Sequence, residues 1–253
     1  LVSVEELTEA IRPDTTLISV MFANNEIGTI EPIYKIGKIA KEKQIIFHTD
    51  AVQAYAQIPL SLNYYPVDLL SASAHKFHGP KGVGFLYIKE GVKIPSFIHG
   101  GSQERGKRAG TENVPGIVGM GKAAEIAHIT MRKRVQKEIM LRNYLIERIL
   151  HEIPDARVNG HRSVRLPGNV NFSFKGIEGA SLLILMDEDG ICASGGSACN
   201  TGEERVSYVI RAIHIPEEYA PGTVRLTLCG DTTRKEIDEA IASMKRNIAV
   251  LRG

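Results

Sequence analysis

Two groups of residues have the types and spacing for chemistry. In the first half, Asp50 follows the apolar run Ile45–His48, and Lys76 closes Ser71-Ala-Ser-Ala-His-Lys76 just past a second apolar run. A carboxylate and a lysine brought in on the carboxyl ends of neighbouring strands are what a pyridoxal phosphate site requires, since open α/β sheets bind ligands at those ends. The lysine forms a Schiff base, and the acid keeps the pyridine nitrogen protonated so that the ring takes up electrons. Spacing by itself favours a plainer reading, in which Asp50 caps a following helix and Lys76 is a solvated surface group. Gly79-Pro-Lys-Gly-Val-Gly84 matches neither the dinucleotide fingerprint nor the phosphate loop and reads as a tight turn. His75 and His78 have no third ligand near them in sequence, so no metal site is expected.

In the second half the stretch is Ser194-Gly-Gly-Ser-Ala-Cys199-Asn-Thr-Gly202. Small residues on both sides of a cysteine predict an accessible loop with little packed around the thiol, which a reactive thiolate needs. Cys192 and Cys229 fit the ordinary reading of free cysteines as small buried hydrophobes. Arg225 alternates with apolar residues in Thr223-Val-Arg-Leu-Thr-Leu228. It either faces solvent or offers a planar fork to a substrate carboxylate, and the two readings stand level.

These residues need elements to position them. Leu17–Phe22, Ile45–His48, Asp68–Ser71 and Val83–Ile88 read as strands, with a helix opening at Pro32, and this alternation implies parallel pairing. Ser3-Val-Glu-Glu6 has the form of a capping box ahead of a short helix. From Val114 to about Ile153 the pattern is helical, with Leu141, Leu145 and Ile149 at helical spacing. Short strands at Asn169–Phe174 and Thr223–Leu228 follow, with helices near 178–188, 204–213 and 233–252. The expected organisation is the remainder of a large, mainly parallel-sheet α/β domain over 1–135 and a smaller α+β domain over 136–253, the second carrying the cysteine loop.

Composition narrows the function classes. Thirty-one basic residues against 29 acidic, without like-charge blocks, give no electrostatic case for nucleic acid or an anionic membrane. No apolar run is long enough to span a bilayer and nothing at the start resembles a signal peptide, so a cytoplasmic protein is expected. Three cysteines argue against a disulfide framework. The chain opens on Leu1 rather than methionine, so a longer polypeptide is expected.

Several segments, taken in order, resemble the NifS/IscS-type cysteine desulfurases, which are fold-type-I pyridoxal phosphate enzymes of the class V aminotransferase kind. They are Ala23-Asn-Asn-Glu-Ile-Gly28, His48-Thr-Asp-Ala-Val-Gln53, Ser73-Ala-His-Lys76 with Gly79-Pro-Lys-Gly82, and His99-Gly-Gly. Glu104-Arg-Gly-Lys-Arg-Ala-Gly-Thr111, Ser194–Cys199 and Thr223–Leu228 complete the set. The resemblance implies that Lys76 holds pyridoxal 5'-phosphate and moves the Cα proton, that Asp50 pairs with the pyridinium nitrogen, and that Gln53 bonds the phenolic oxygen. It implies that Ser73 and His75 hold the phosphate, and that Thr111 reaches the phosphate of the neighbouring subunit in a homodimer. Asn25 is placed at the cofactor and, with Arg225, on the substrate carboxylate. Cys199 is implied as the nucleophile that takes sulfur from L-cysteine, releases alanine and passes the persulfide to a scaffold or carrier protein for iron–sulfur clusters or thiolated cofactors and RNA. A selenocysteine lyase, or a non-catalytic piece that binds a sulfur acceptor, are the competing readings. Family members carry further sequence ahead of the segment matching Leu1, including a phosphate-cradling turn and a ring-stacking histidine, so an incomplete sheet with unpaired edges is expected.

Overall fold

A computed structural model describes residues 1–196 and 206–253, in two compact units. One comprises Val2–Phe22 and Glu31–Met131, the other Ala23–Ile30 and Arg132–Gly253, with Leu1.

The first unit begins with helix α1 (Val4–Ala10), strand β1 (Leu17–Met21), helix α2 (Ile33–Glu42) and strand β2 (Ile46–Asp50). Ser3 caps α1 by accepting from Glu6 N at 3.1 Å, while its hydroxyl donates to Glu5 Oε2, so the box is made on one side only. Strands β3 (Leu69–Ser73) and β4 (Gly84–Ile88) complete a sheet of order β1-β2-β3-β4. The first two pairings are parallel, as the alternation of strand and helix implies, but β3–β4 is antiparallel. The reason is length. Residues 74–83 make a short turn, whereas a parallel return needs a crossover of a dozen residues or more.

Period-two alternation gives this sheet two different faces. Ile18, Phe47, Thr49, Leu70 and Ala72 are buried, and α2 buries Ile33, Ile36, Gly37 and Ala40. Gly37 is required where α2 approaches the Pro66 segment, since a Cβ there would stand 2.4 Å from Pro66 O. The opposite face carries Leu17, Ser19, Met21, His48, Asp50, Ser71, Ser73 and Leu86, none of them buried, together with Leu69, which is. A single turn, α3 (Gln103–Gly106), holds Glu104 and Arg105 at left-handed φ, and helix α4 (Val114–Glu152) follows.

The second unit packs the later turns of α4 on an antiparallel sheet of β5 (Ala156–Val158), β6 (Asn169–Phe174) and β7 (Thr223–Thr227), in that order. Helices α5 (Gly179–Glu188), α6 (Tyr208–Ala212) and α7 (Arg234–Arg252) complete it. Val170, Phe172 and Phe174 of β6 face a core of Leu145 and Ile149 from α4, Leu182 and Met186 from α5, and Ile241 and Met244 from α7. Among the described residues, no helix is long and apolar enough to cross a membrane.

All six β6 residues are buried, polar ones included. The polar face, with Asn169, Asn171 and Ser173, holds the Ala23–Ile30 segment. Asn169 Nδ2 donates to Glu26 O at 3.3 Å and Asn171 Nδ2 to the same oxygen at 3.2 Å. Arg165 Nη2 donates to Ile27 O at 2.8 Å, and its other nitrogens reach Asn159 O and Asn169 O. Burial, with the neighbouring charge of Arg142, pushes the Arg165 guanidinium down to about 10. Arg165→Leu removes these donors from buried carbonyls and is expected to cost about 3 kcal/mol or more, read as a lower denaturant midpoint. An unchanged midpoint would show that the segment is held without it.

Candidate active site

In the first unit, Asp50 is the last residue of β2 and pairs with Ser71 of β3, so Asp50 and the Ser73–Lys76 stretch stand at the carboxyl ends of adjacent parallel strands. The helix expected after Asp50 is absent; residues 52–57 form turns, and Asp50 Oδ1 closes one by accepting from Val52 N at 2.8 Å. Gln53 lies in these turns, half-buried.

Lys76 sits in a 3₁₀ turn, Ala74–Phe77, whose two ends are buried while His75 and Lys76 are exposed. Three anchors hold the turn. Phe77 packs edge-on against Tyr55 at 5.0 Å, and Ala74 and Phe77 cluster with Ala127, Ala123 and Met120 of α4. Gly79 N donates to Ala74 O at 2.9 Å, with His78 at left-handed φ. Ser73 Oγ and His75 Nδ1 are 2.8 Å apart, and Lys76 Nζ makes no hydrogen bond among the described residues. Thr111 is exposed in the stretch before α4, and among the described residues no hydrogen bond joins it to this group.

Beneath this rim runs a polar row to which spacing in the sequence assigns no role. His48 Nδ1 is 2.8 Å from Ser19 Oγ and its Nε2 is 3.2 Å from Ser71 Oγ. Alternation along Phe47-His48-Thr49-Asp50 is the signal that puts His48 on the Asp50 face.

In the second unit, Asn25 and Arg225 meet. Arg225 Nη1 donates to Asn25 O at 3.1 Å, and both residues are half-buried. Arg225 also exchanges backbone hydrogen bonds with Ser194, at 3.1 and 2.5 Å, so the strand residue and the start of the cysteine segment are locked together. Cys199 lies outside the described residues. Cys192 and Cys229 are both exposed, contrary to the buried reading, because each stands in irregular chain just beyond a strand or helix.

The model of the aminotransferase class-V family matches residues 1–240. This chain belongs to the aminotransferase class-V family. The class-V chain is 52% identical over 248 residues to the cysteine desulfurase IscS of Dictyoglomus turgidum, covering 98% of this chain and 63% of that relative. It is 51% identical over 252 residues to the cysteine desulfurase IscS of Methanosarcina thermophila, covering 100% of this chain and 62% of that one. A solved NifS-like protein matches with a TM-score of 0.89 and 38% identity, over 98% of this chain and 65% of that structure. The class-V chain therefore spans a little over three-fifths of the length of these curated relatives. Its fold is the fold-type-I α/β arrangement expected from sequence, with the larger sheet mainly parallel.

Burial holds the His48 imidazole below its usual range, and the Asp50 carboxylate pulls it partly back. With the folded value depressed, the unfolded chain takes up the proton first as pH falls. The contribution of His48 is therefore present above about pH 6.5 and lost on acidification. His48→Gln is expected to show a shallower loss of denaturant midpoint between about pH 7 and pH 5; equal slopes for the two proteins would contradict this assignment.

Proposed function

We propose that this chain carries the lysine- and cysteine-bearing part of a pyridoxal-phosphate-dependent cysteine desulfurase, which converts L-cysteine to L-alanine and holds the sulfur as a persulfide on Cys199. The observation that carries the reading is the placement of Asp50 and Lys76 at the ends of adjacent parallel strands. The identity with relatives named cysteine desulfurase supports it.

The donor set fits the cofactor. Asp50 keeps one carboxylate oxygen beyond its bond to Val52, Lys76 has an unengaged amine, and Ser73 and His75 form a hydroxyl–imidazole pair beside it. Pyridoxal phosphate, when bound, supplies an electron sink for the bonds at the substrate Cα. Asp50 holds the proton on the ring nitrogen, and Gln53 bonds the phenolic oxygen. Ser73 and His75 hold the phosphate, with Thr111 reaching that of a second copy in a homodimer.

Asn25 and Arg225 bind the substrate carboxylate, the guanidinium as a planar fork. Asn25 would also contact the cofactor when it is bound. Lys76 holds the cofactor and moves the proton at the substrate Cα, a role that suits an amine on a turn anchored by Ala74 and Phe77. Cys199, as thiolate, attacks the substrate sulfur. The new S–S bond forms as the C–S bond breaks with its electron pair returning to carbon, which then takes up a proton. The persulfide passes to a scaffold or carrier protein for iron–sulfur clusters or thiolated cofactors, in the cytoplasm.

In the full-length protein, Lys76→Ala is expected to lose both the lysine–cofactor absorbance band and alanine release, down to background. Cys199→Ser is expected to keep the band and form no persulfide, as read by mass spectrometry. Full-rate alanine release from cysteine by Cys199→Ser would overturn the nucleophile assignment. A protein that released alanine only from selenocysteine would be a selenocysteine lyase.

A further inference from the structure

The proposed chemistry gives no step to His48, the half-buried centre of a row that crosses three strands. Ser19 of β1 lies opposite it in register, with its hydroxyl 2.8 Å from Nδ1, and Ser71 of β3 places its hydroxyl 3.2 Å from Nε2. A serine hydroxyl both donates and accepts. Either neutral tautomer of the ring therefore finds one donor and one acceptor, and an imidazolium finds two acceptors. The row fixes where the ring sits and leaves its charge open.

Other groups decide the charge. Burial opposes it, and the Asp50 carboxylate favours it. Asp50 is two residues further along β2 on the same face, which strand geometry sets at about 6.5 Å. Among the described residues of the four strands, His48 and Asp50 are the two ionisable groups on that face. The other strands contribute only hydroxyl and apolar side chains to it, and His75 and Lys76 stand beyond the strand ends on the turn after β3. One carboxylate thus faces two nitrogens that can carry a proton, the imidazole beneath it and, when the cofactor is bound, the pyridine nitrogen.

Resting on the desulfurase reading, we propose that His48 is a positioning residue for the proton that Asp50 holds on the cofactor ring. The imidazole and the ring nitrogen share one counter-charge, so a proton on either one weakens the hold on the other. Kept neutral between two uncharged hydroxyls, His48 leaves the Asp50 carboxylate to the cofactor. Protonated, it draws on the same carboxylate, and cofactor affinity falls as pH drops through the His48 transition, which lies below about pH 6.5.

The test uses the full-length protein, free and loaded with pyridoxal phosphate. The titration midpoint of the His48 ring, followed by NMR of isotope-labelled histidine, is expected to fall by about half a pH unit or more on loading. Between about pH 7.5 and about pH 5, the wild type is expected to lose about three- to tenfold more cofactor affinity than His48→Gln, read from the lysine–cofactor absorbance in equilibrium dialysis. The cofactor analogue with carbon in place of the ring nitrogen should erase both differences, a result that a merely structural role for His48 does not produce. If His48→Gln does not fold, the wild-type midpoints with pyridoxal phosphate and with the analogue carry the test. Equal midpoints in free and loaded protein, or the same loss of affinity in the wild type and His48→Gln, overturn this inference alone. A wild-type full-length protein that shows no lysine–cofactor band overturns the pyridoxal phosphate reading as well.

Discussion

The carbonyl groups of Asn25, Glu26, Ile27 and Gly28 lie in a turn, where no ladder or helix can take them, and the second unit supplies their partners. Arg225, the asparagines of β6, Arg165 and the backbone of Leu166 each donate to them. Leaving such acceptors buried and unmet would cost about 1–3 kcal/mol apiece, so the turn and the polar face of β6 are folded as one object. Gly28 belongs to the same constraint, at φ 72° with Asn169 Oδ1 2.5 Å from where its Cβ would be. Once that turn is fixed, Asn25 is beside Arg225 and Glu26 is beside Ser207 without further provision.

The first unit solves a different problem, which is to expose a lysine without losing its position. Flexible amines on mobile loops give poor geometry, and groups mounted on anchored turns give better. Here Ala74 and Phe77 are driven inward against Tyr55 and α4, and Lys76, between them on the short turn, is left facing out. Asp50 is fixed by the neighbouring strand, and the Ser19–His48–Ser71 row stiffens the face from which both project. Both units therefore use the same device, an apolar or fully bonded support directly behind a polar group that must stay available.

Where periodicity and turn chemistry are local, the sequence reading and the structure agree. β6 runs from Asn169 to Phe174 as the alternation suggested, α4 spans Val114–Glu152, and Gly82 takes the left-handed φ (75°) that the Gly79–Gly82 turn needs. Disagreement appears where the path of the chain between regular elements decides. The antiparallel β3–β4 pairing depends on how residues 74–83 close, and the helix expected after Asp50 is replaced by turns. Cys192 and Cys229 look like core cysteines beside Ile191 and Leu228, yet both are exposed because the chain leaves its regular elements at those points.

By itself the sequence determined which residue types stand where the chemistry would be. It also set the alternation that sends His48 and Asp50 to one face and the small-residue surroundings of Cys199, since these follow from covalent order and local periodicity. Only the tertiary structure decided that Asn25 and Arg225, 200 positions apart, share a hydrogen bond, and that Glu26 is buried against Ser207. A lone arginine in a strand and a lone glutamate in a turn carry no local mark of what they will meet. Their roles depend on the burial and pairing of polar groups, and those are properties of the packed chain.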